Sequence, residues 1–349
     1  MYQFSFLPYF PSDDLDLKIN RLHLFNFRNH KDDYIPDDAV KQQMERICSL
    51  YVDSNLDQLK EFTIAVIDGN YAFVRITKDQ GIDSEKFASA LSFCSIILNE
   101  DNNASSSDNY VIFHQPFQLN EKSIAYATGS YLRIDNWQPL DTTKLIKPSY
   151  IQRPILRYHF DELLFQAFAN MIDAHNDDDD YLFRVLEWFN YSYMNVEGFS
   201  YYNRVVLLAT AYEIFFDLPS FGQADAFATG LETLLEVDHM GLPVIQKLNA
   251  RGKQKENTIY GWWTREFYDL RSKIVHGSKL KNEDTINHRG SDYFSTGIKM
   301  LGFCFNKLLE NKGYLVHPAP APEVAAVFPN FNYAKHRRQN DLRKIEELI

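Results

Sequence analysis

Apolar residues along this chain follow two rhythms. Up to about residue 150 they come in short runs, "LHLFNF", "FTIAVI", "YAFVRIT", "YVIFHQPF" and "SIAYATGSYLRI", separated by turn-rich pieces. Runs of this length, rich in β-branched and aromatic residues, predict strands. In "AVIDGNYAFV", Asp68 and Gly69 fall between two such runs, where a hairpin turn needs the positive φ that glycine accepts. "NEDNNASSSDN" at 99–109 reads as a polar loop and "KPSYIQRP" around 147–154 as a linker, since proline and lost periodicity interrupt regular structure.

Past the linker the spacing becomes three and four. "FDELLFQAFANMID", "YLFRVLEWFNYSYM", "YYNRVVLLATAYEIFF", "ADAFATGLETLLE", "YGWWTREFYDLRSKIV" and "DYFSTGIKMLGFCFNKLLE" each carry an apolar stripe at that period, which predicts a bundle of about six helices. "HPAPAPE" at 317–323 stops the last of them, because alternating prolines cannot continue a helix. The pattern therefore predicts an α+β chain. A mixed, strand-rich domain occupies 1–150, a helical bundle 151–316, and a Pro-Ala linker with a basic tail 317–349. A length of 349 residues fits two domains of roughly 100 to 200 residues each.

Composition narrows the partners. Hydrophobic residues at 45% and charged residues at 24% are those of a soluble globular protein, and 27 Phe with 21 Tyr supply much aromatic surface to bury. A formal charge of -11 excludes a protein that coats nucleic acid through a broad basic field, and leaves room for a local basic site. Cys48, Cys94 and Cys304 are far apart in apolar or mixed surroundings, as expected of buried free thiols in a reducing compartment. The opening "MYQFSFLPYFPSDD" lacks a basic n-region and a long apolar stretch, so a cytoplasmic protein without a membrane span is expected.

Candidate chemistry gathers at "YDLRSKIVHG", 268–277. Trp263, Phe267, Leu270 and Ile274 make one core-facing stripe at +4, +3, +4 spacing. Arg265, Asp269, Ser272, Lys273 and His276 occupy another, polar side, and Gly277 is placed to close the helix in the left-handed conformation. Arg271 and His276 are five residues apart, about 140° around a helix, so they share no face. They become one site only with a second surface, such as the same helix of a twofold-related copy. A second oddity is Glu213 inside "RVVLLATAYEIFF", a helix apolar nearly all round and so expected to be buried. A buried carboxylate needs a partner, and Arg271 is the expected one. Read blandly, the pair is a core salt bridge that fixes bundle geometry.

The Glu-bearing "ATAYEIFF", the preceding "RVLEWFNYSY" and the later "FYDLRSKIVHG" together resemble the Apea-like branch of the HEPN superfamily, over roughly residues 155–312. That group's signature is Arg, four to six residues, then His. The resemblance implies an all-α bundle that dimerises into a composite, metal-independent endoribonuclease site needing no cofactor. It gives His276 the role of general base on a ribose 2′-OH, Arg271 that of holding the scissile phosphate, and Glu213 that of orienting Arg271. Both chemistries suit the residues: imidazole titrates near neutrality and guanidinium matches phosphate. Attack by the 2′-OH leaves a 2′,3′-cyclic phosphate. The sequence departs from active members at Ser272, where Asn, Asp or His is frequent. Gly277 and Ser278 follow His276, unlike the toxins silenced by tyrosine nucleotidylation. A bacterial anti-phage, abortive-infection or toxin-like effector is implied, with residues 1–150 sensing an unknown trigger or gating substrate.

Other patterns weigh less. "HNDDDD" at 175–180 joins His to carboxylates, yet a solvated acidic loop explains it without metal. His23, His30, His114 and His159 lack ligand spacing. Lys335, Arg337, Arg338, Arg343 and Lys344 form the clearest basic patch; Arg337 and Arg338, with Lys273, are candidates for RNA contact. Trp262 is a candidate for base stacking. Two functions are thus open: a HEPN-type ribonuclease acting on RNA as a homodimer, or a non-catalytic RNA- or nucleotide-binding or scaffold protein.

Overall fold

In the computed structural model, residues 2–10, 14–53, 55–60, 62–71, 78–101, 115–119, 123–127, 137–147, 160–194, 199–236, 244–248, 254–287 and 290–317 are described. Of the polar loop expected at 99–109, residues 99–101 are instead the end of a helix and the rest lies outside the described residues, as do the linker centre, His114, His159 and the basic tail with Arg337 and Arg338. The chain divides into two compact units, 1–177 with 193–198, and 178–192 with 199–349. It is an α+β protein whose C-terminal part is helical.

The first unit is built on a seven-stranded antiparallel sheet in the order β2-β3-β4-β1-β5-β6-β7. Its strands are β1 (Tyr2–Leu7), β2 (Asp16–Ile19), β3 (Leu22–Asn26), β4 (Thr63–Ile67), β5 (Gln115–Leu119), β6 (Ile124–Ala127) and β7 (Trp137–Pro139). β3 and β4 are buried along their whole length, as strands covered on both faces must be, which is why "LHLFNF" and "FTIAVI" read as continuous apolar runs. Phe25, Ile64 and Val66 join Val40, Met44 and Ile47 of α2 (Asp38–Cys48) in one core with Phe6, Tyr51 and Phe117. Asn26 ends β3 and begins α1 (Phe27–Tyr34), its side chain accepting from the Asn29 amide at 3.0 Å. The expected turn after β4 is present, with φ of 56° at Asp68 and 64° at Gly69. The run that was to follow it, "YAFVRIT", has residues 72–77 outside the described ones.

Strands alone do not describe this unit. α3 (Lys78–Asp101) is its longest element, and α4 (Glu162–Ala174), the first helix past the linker, packs against it through Phe87 on Phe165 and Phe93 on Phe168. From Ala90 to Ile97 every residue of α3 is buried, Ser92 and Ser95 included, so the stretch carries no polar stripe. Ser95 turns its hydroxyl to its own helix, donating to the Leu91 carbonyl at 2.8 Å.

The second unit holds α5 (Asp180–Tyr193), α6 (Tyr201–Phe215), α7 (Gln223–Leu234), α8 (Ile259–Val275) and α9 (Tyr293–Asn311), together with a hairpin of β8 (Ile245–Leu248) and β9 (Gln254–Asn257). Each helix falls on a predicted apolar segment; the hairpin was not foreseen. An aromatic centre joins α6, α7 and α8: Trp263 stacks on Phe267 at 5.3 Å and Tyr212 meets both edge-on, with Phe227 on its other side. α6 and α9 approach closely at Gly297, whose carbonyl accepts from the Tyr212 hydroxyl at 2.6 Å. A Cβ there would stand 2.9 Å from the Leu208 side chain, so any larger residue would force Leu208 to shift. All three cysteines are buried and free. Among the described residues no helix is long and apolar enough to cross a membrane.

Candidate functional site at the end of α8

α8 is fixed at both ends. Thr258 caps its start, accepting from the Gly261 amide and donating to Glu232 of α7. At the other end Gly277 takes φ +68°, its amide donates to the Ile274 carbonyl at 3.2 Å, and the Ser278 amide reaches the Lys273 carbonyl at 2.9 Å. That pair of bonds with a left-handed glycine is the closure expected from the sequence. Trp263, Phe267 and Leu270 are buried as the stripe requires, with Ile274 half-buried.

Arg271 and Glu213 meet: Nη2 lies 3.0 Å from Oε1. The same carboxylate oxygen accepts from the Tyr268 hydroxyl at 2.9 Å, and the Arg271 guanidinium carbon sits 5.5 Å from the centre of the Tyr268 ring. Tyr268 is buried, which together with Glu213 pushes its phenol well above the usual range, so it remains a proton donor at every working pH. Arg271 Nε is enclosed without a hydrogen-bond partner among the described residues. Being enclosed, Nε is closed to an outside acceptor; the side chain keeps 22% of its surface, and only there can the guanidinium take one.

α6 is less buried than its composition suggests. Tyr202 and Asn203 are exposed, Val206, Leu207, Thr210 and Ile214 half-exposed, and the Glu213 side chain keeps 20% of its surface. The carboxylate is therefore partly solvated, and its pairing lowers a smaller desolvation cost than a fully buried group would impose. His276 stands exposed just past α8. By the helical pitch its side chain and that of Arg271 leave the helix on different sides.

Other expected residues fall elsewhere. Ser272 is half-exposed beside Arg271. Lys273 is exposed and paired with Asp284 at 2.9 Å, which ties the end of α8 to the short turn at Asn282–Thr285. Trp262 is corrected outright: it is only 6% exposed and its indole N–H donates to the Ile245 carbonyl at 2.8 Å. It packs the hairpin onto the bundle and offers no face to a base. In the acidic stretch, residues 175–178 and Asp180 are exposed, as expected of a solvated connection, and Asp179 is the exception. Asp179 is buried and takes Lys312 at 2.6 Å and the Tyr314 hydroxyl at 2.8 Å, while His175 closes α4 with φ 47°. Tyr268 escaped the sequence reading because a tyrosine among 21 carries no signal of its own; its place three residues before Arg271, one helical turn away, was the available clue.

Compared with known proteins, the chain matches no family model, no curated protein and no solved structure. The HEPN resemblance rests on the motif and its helical setting.

Proposed function

We propose that the protein is a metal-independent endoribonuclease of HEPN type. His276 takes the proton from a ribose 2′-OH, Arg271 holds the adjacent phosphate and offsets the charge that develops on it, and Glu213 orients Arg271. Two copies of the chain form the site, because the two residues diverge by about 140° on one helix. The supporting observation is the Glu213 to Arg271 ion pair between α6 and α8, with an exposed His276 five residues further on. A bacterial anti-phage or toxin-like role, with the first unit answering to a trigger, follows the same resemblance.

A second reading, a non-catalytic protein that binds RNA or nucleotide or serves as a scaffold, draws on one specific fact: Glu213 already matches the charge of Arg271. The product separates the two. A single-stranded RNA incubated with the protein should yield fragments ending in 2′,3′-cyclic phosphate and 5′-OH, and the same sequence in DNA should stay intact. Binding without cleavage would favour the second reading.

A further inference from the structure

Glu213 Oε1 is held by two donors from one helix, Arg271 Nη2 at 3.0 Å and the Tyr268 hydroxyl at 2.9 Å. Tyr268 and Arg271 lie one turn apart on α8, and the carboxylate comes from α6. An ion pair with a single contact lets a guanidinium swing about it. Here the carboxylate cannot follow such a swing without breaking its bond to the phenol, and the phenol ring borders the guanidinium on a further side. We propose that Tyr268 is a positioning residue for Arg271: it fixes the Glu213 carboxylate and so sets where the exposed part of the guanidinium points.

This rests on the ribonuclease reading only for its consequence in catalysis; the positioning itself is a property of the folded chain. Tyr268 is well suited to it. Burial, with Glu213 beside it, keeps the phenol protonated and so able to donate. The ring is rigid, and little conformational freedom is lost in holding it. The side chain touches no reacting atom in this account and acts through Glu213 alone.

The decisive variant is Tyr268→Phe, which removes one oxygen and keeps the ring, so packing against the bundle persists. Arg271 Nε is enclosed, which makes its N–H resonance observable by NMR in arginine-labelled protein and assignable by its loss in Arg271→Lys. In Y268F that resonance should shift or broaden while the other arginine signals stay in place. Cleavage of single-stranded RNA should lose roughly ten-fold in kcat with KM within about two-fold, the pattern of a misplaced group rather than of lost substrate binding. An unmoved Arg271 resonance overturns the proposal, as does unchanged kcat in a variant whose parent cleaves RNA. If the parent does not cleave RNA, the ribonuclease reading fails by itself and the resonance alone decides the role of Tyr268.

Discussion

At the scale of single residues the molecule separates charge that holds structure from charge that is exposed for use. Glu213 serves two donors, so what replaces it matters more than its loss. Glu213→Ala leaves a guanidinium edge and a phenol unpaired and should cost about 2 kcal/mol. Glu213→Gln keeps an oxygen for one donor at a time and, since the pair is about one-fifth exposed, should cost less than about 1 kcal/mol; urea denaturation compares the two. In the first unit His23 is buried, with Nε2 2.5 Å from Asp16 and Nδ1 2.7 Å from the Tyr71 hydroxyl. Burial lowers its pKa from the ordinary 6.5, while the imidazole hydrogen bond lowers that of Asp16 from 3.8. Both shifts carry one sign: the fold favours neutral His23 and ionised Asp16. Stability from His23 is present above about pH 6.5 and is lost as pH falls below it; that from Asp16 is lost at lower pH, through its depressed value. Thermal denaturation should show stability falling from pH 7 to 5, with a shallower slope in His23→Gln. An equal slope in the variant would contradict this.

Elements show how much the residues announce and how much only packing reveals. Gly277 ends α8 at φ +68° with open space around it, so Gly277→Ala meets no clash and suffers only the left-handed backbone, about 1 kcal/mol. A lower melting temperature with unchanged helix content would match. Most helices of the second unit were legible because they have a wet face and a dry face, as in α8 with Phe267 buried and Asp269 exposed. β3 and β4 were legible as unbroken apolar runs. α3 was not, because burial from Ala90 to Ile97 leaves no contrast along it, and Ser95 inside it looks like loop until its hydroxyl is seen turned to the Leu91 carbonyl. The β8 to β9 hairpin was hidden for the opposite reason: β9 is "QKEN", polar throughout, and it is held by contacts from other elements, Lys255 to Asp225 at 2.7 Å and Trp262 to Ile245. At the site, the Glu213 to Arg271 pair could be anticipated from the cost of a lone carboxylate on an apolar helix. The third member, Tyr268, required coordinates.

For the whole molecule the acidic balance of -11 makes non-specific RNA binding weak, so any recognition has to be local. The composite site makes a sharper demand on assembly. If Arg271 and His276 come from different chains, Arg271→Ala and His276→Ala proteins, each inactive alone, should regain activity when co-expressed. Half the dimers would then be mixed, each with one intact site of two, for about a quarter of wild-type activity. Sites confined to one chain would regain none. The account is tested most directly by incubating purified wild-type protein and His276→Ala with single-stranded RNA in the presence of EDTA. It predicts cleavage by the wild type and loss of at least roughly a hundred-fold in the variant, within the range attributed to a general base; equal cleavage by both proteins would contradict it.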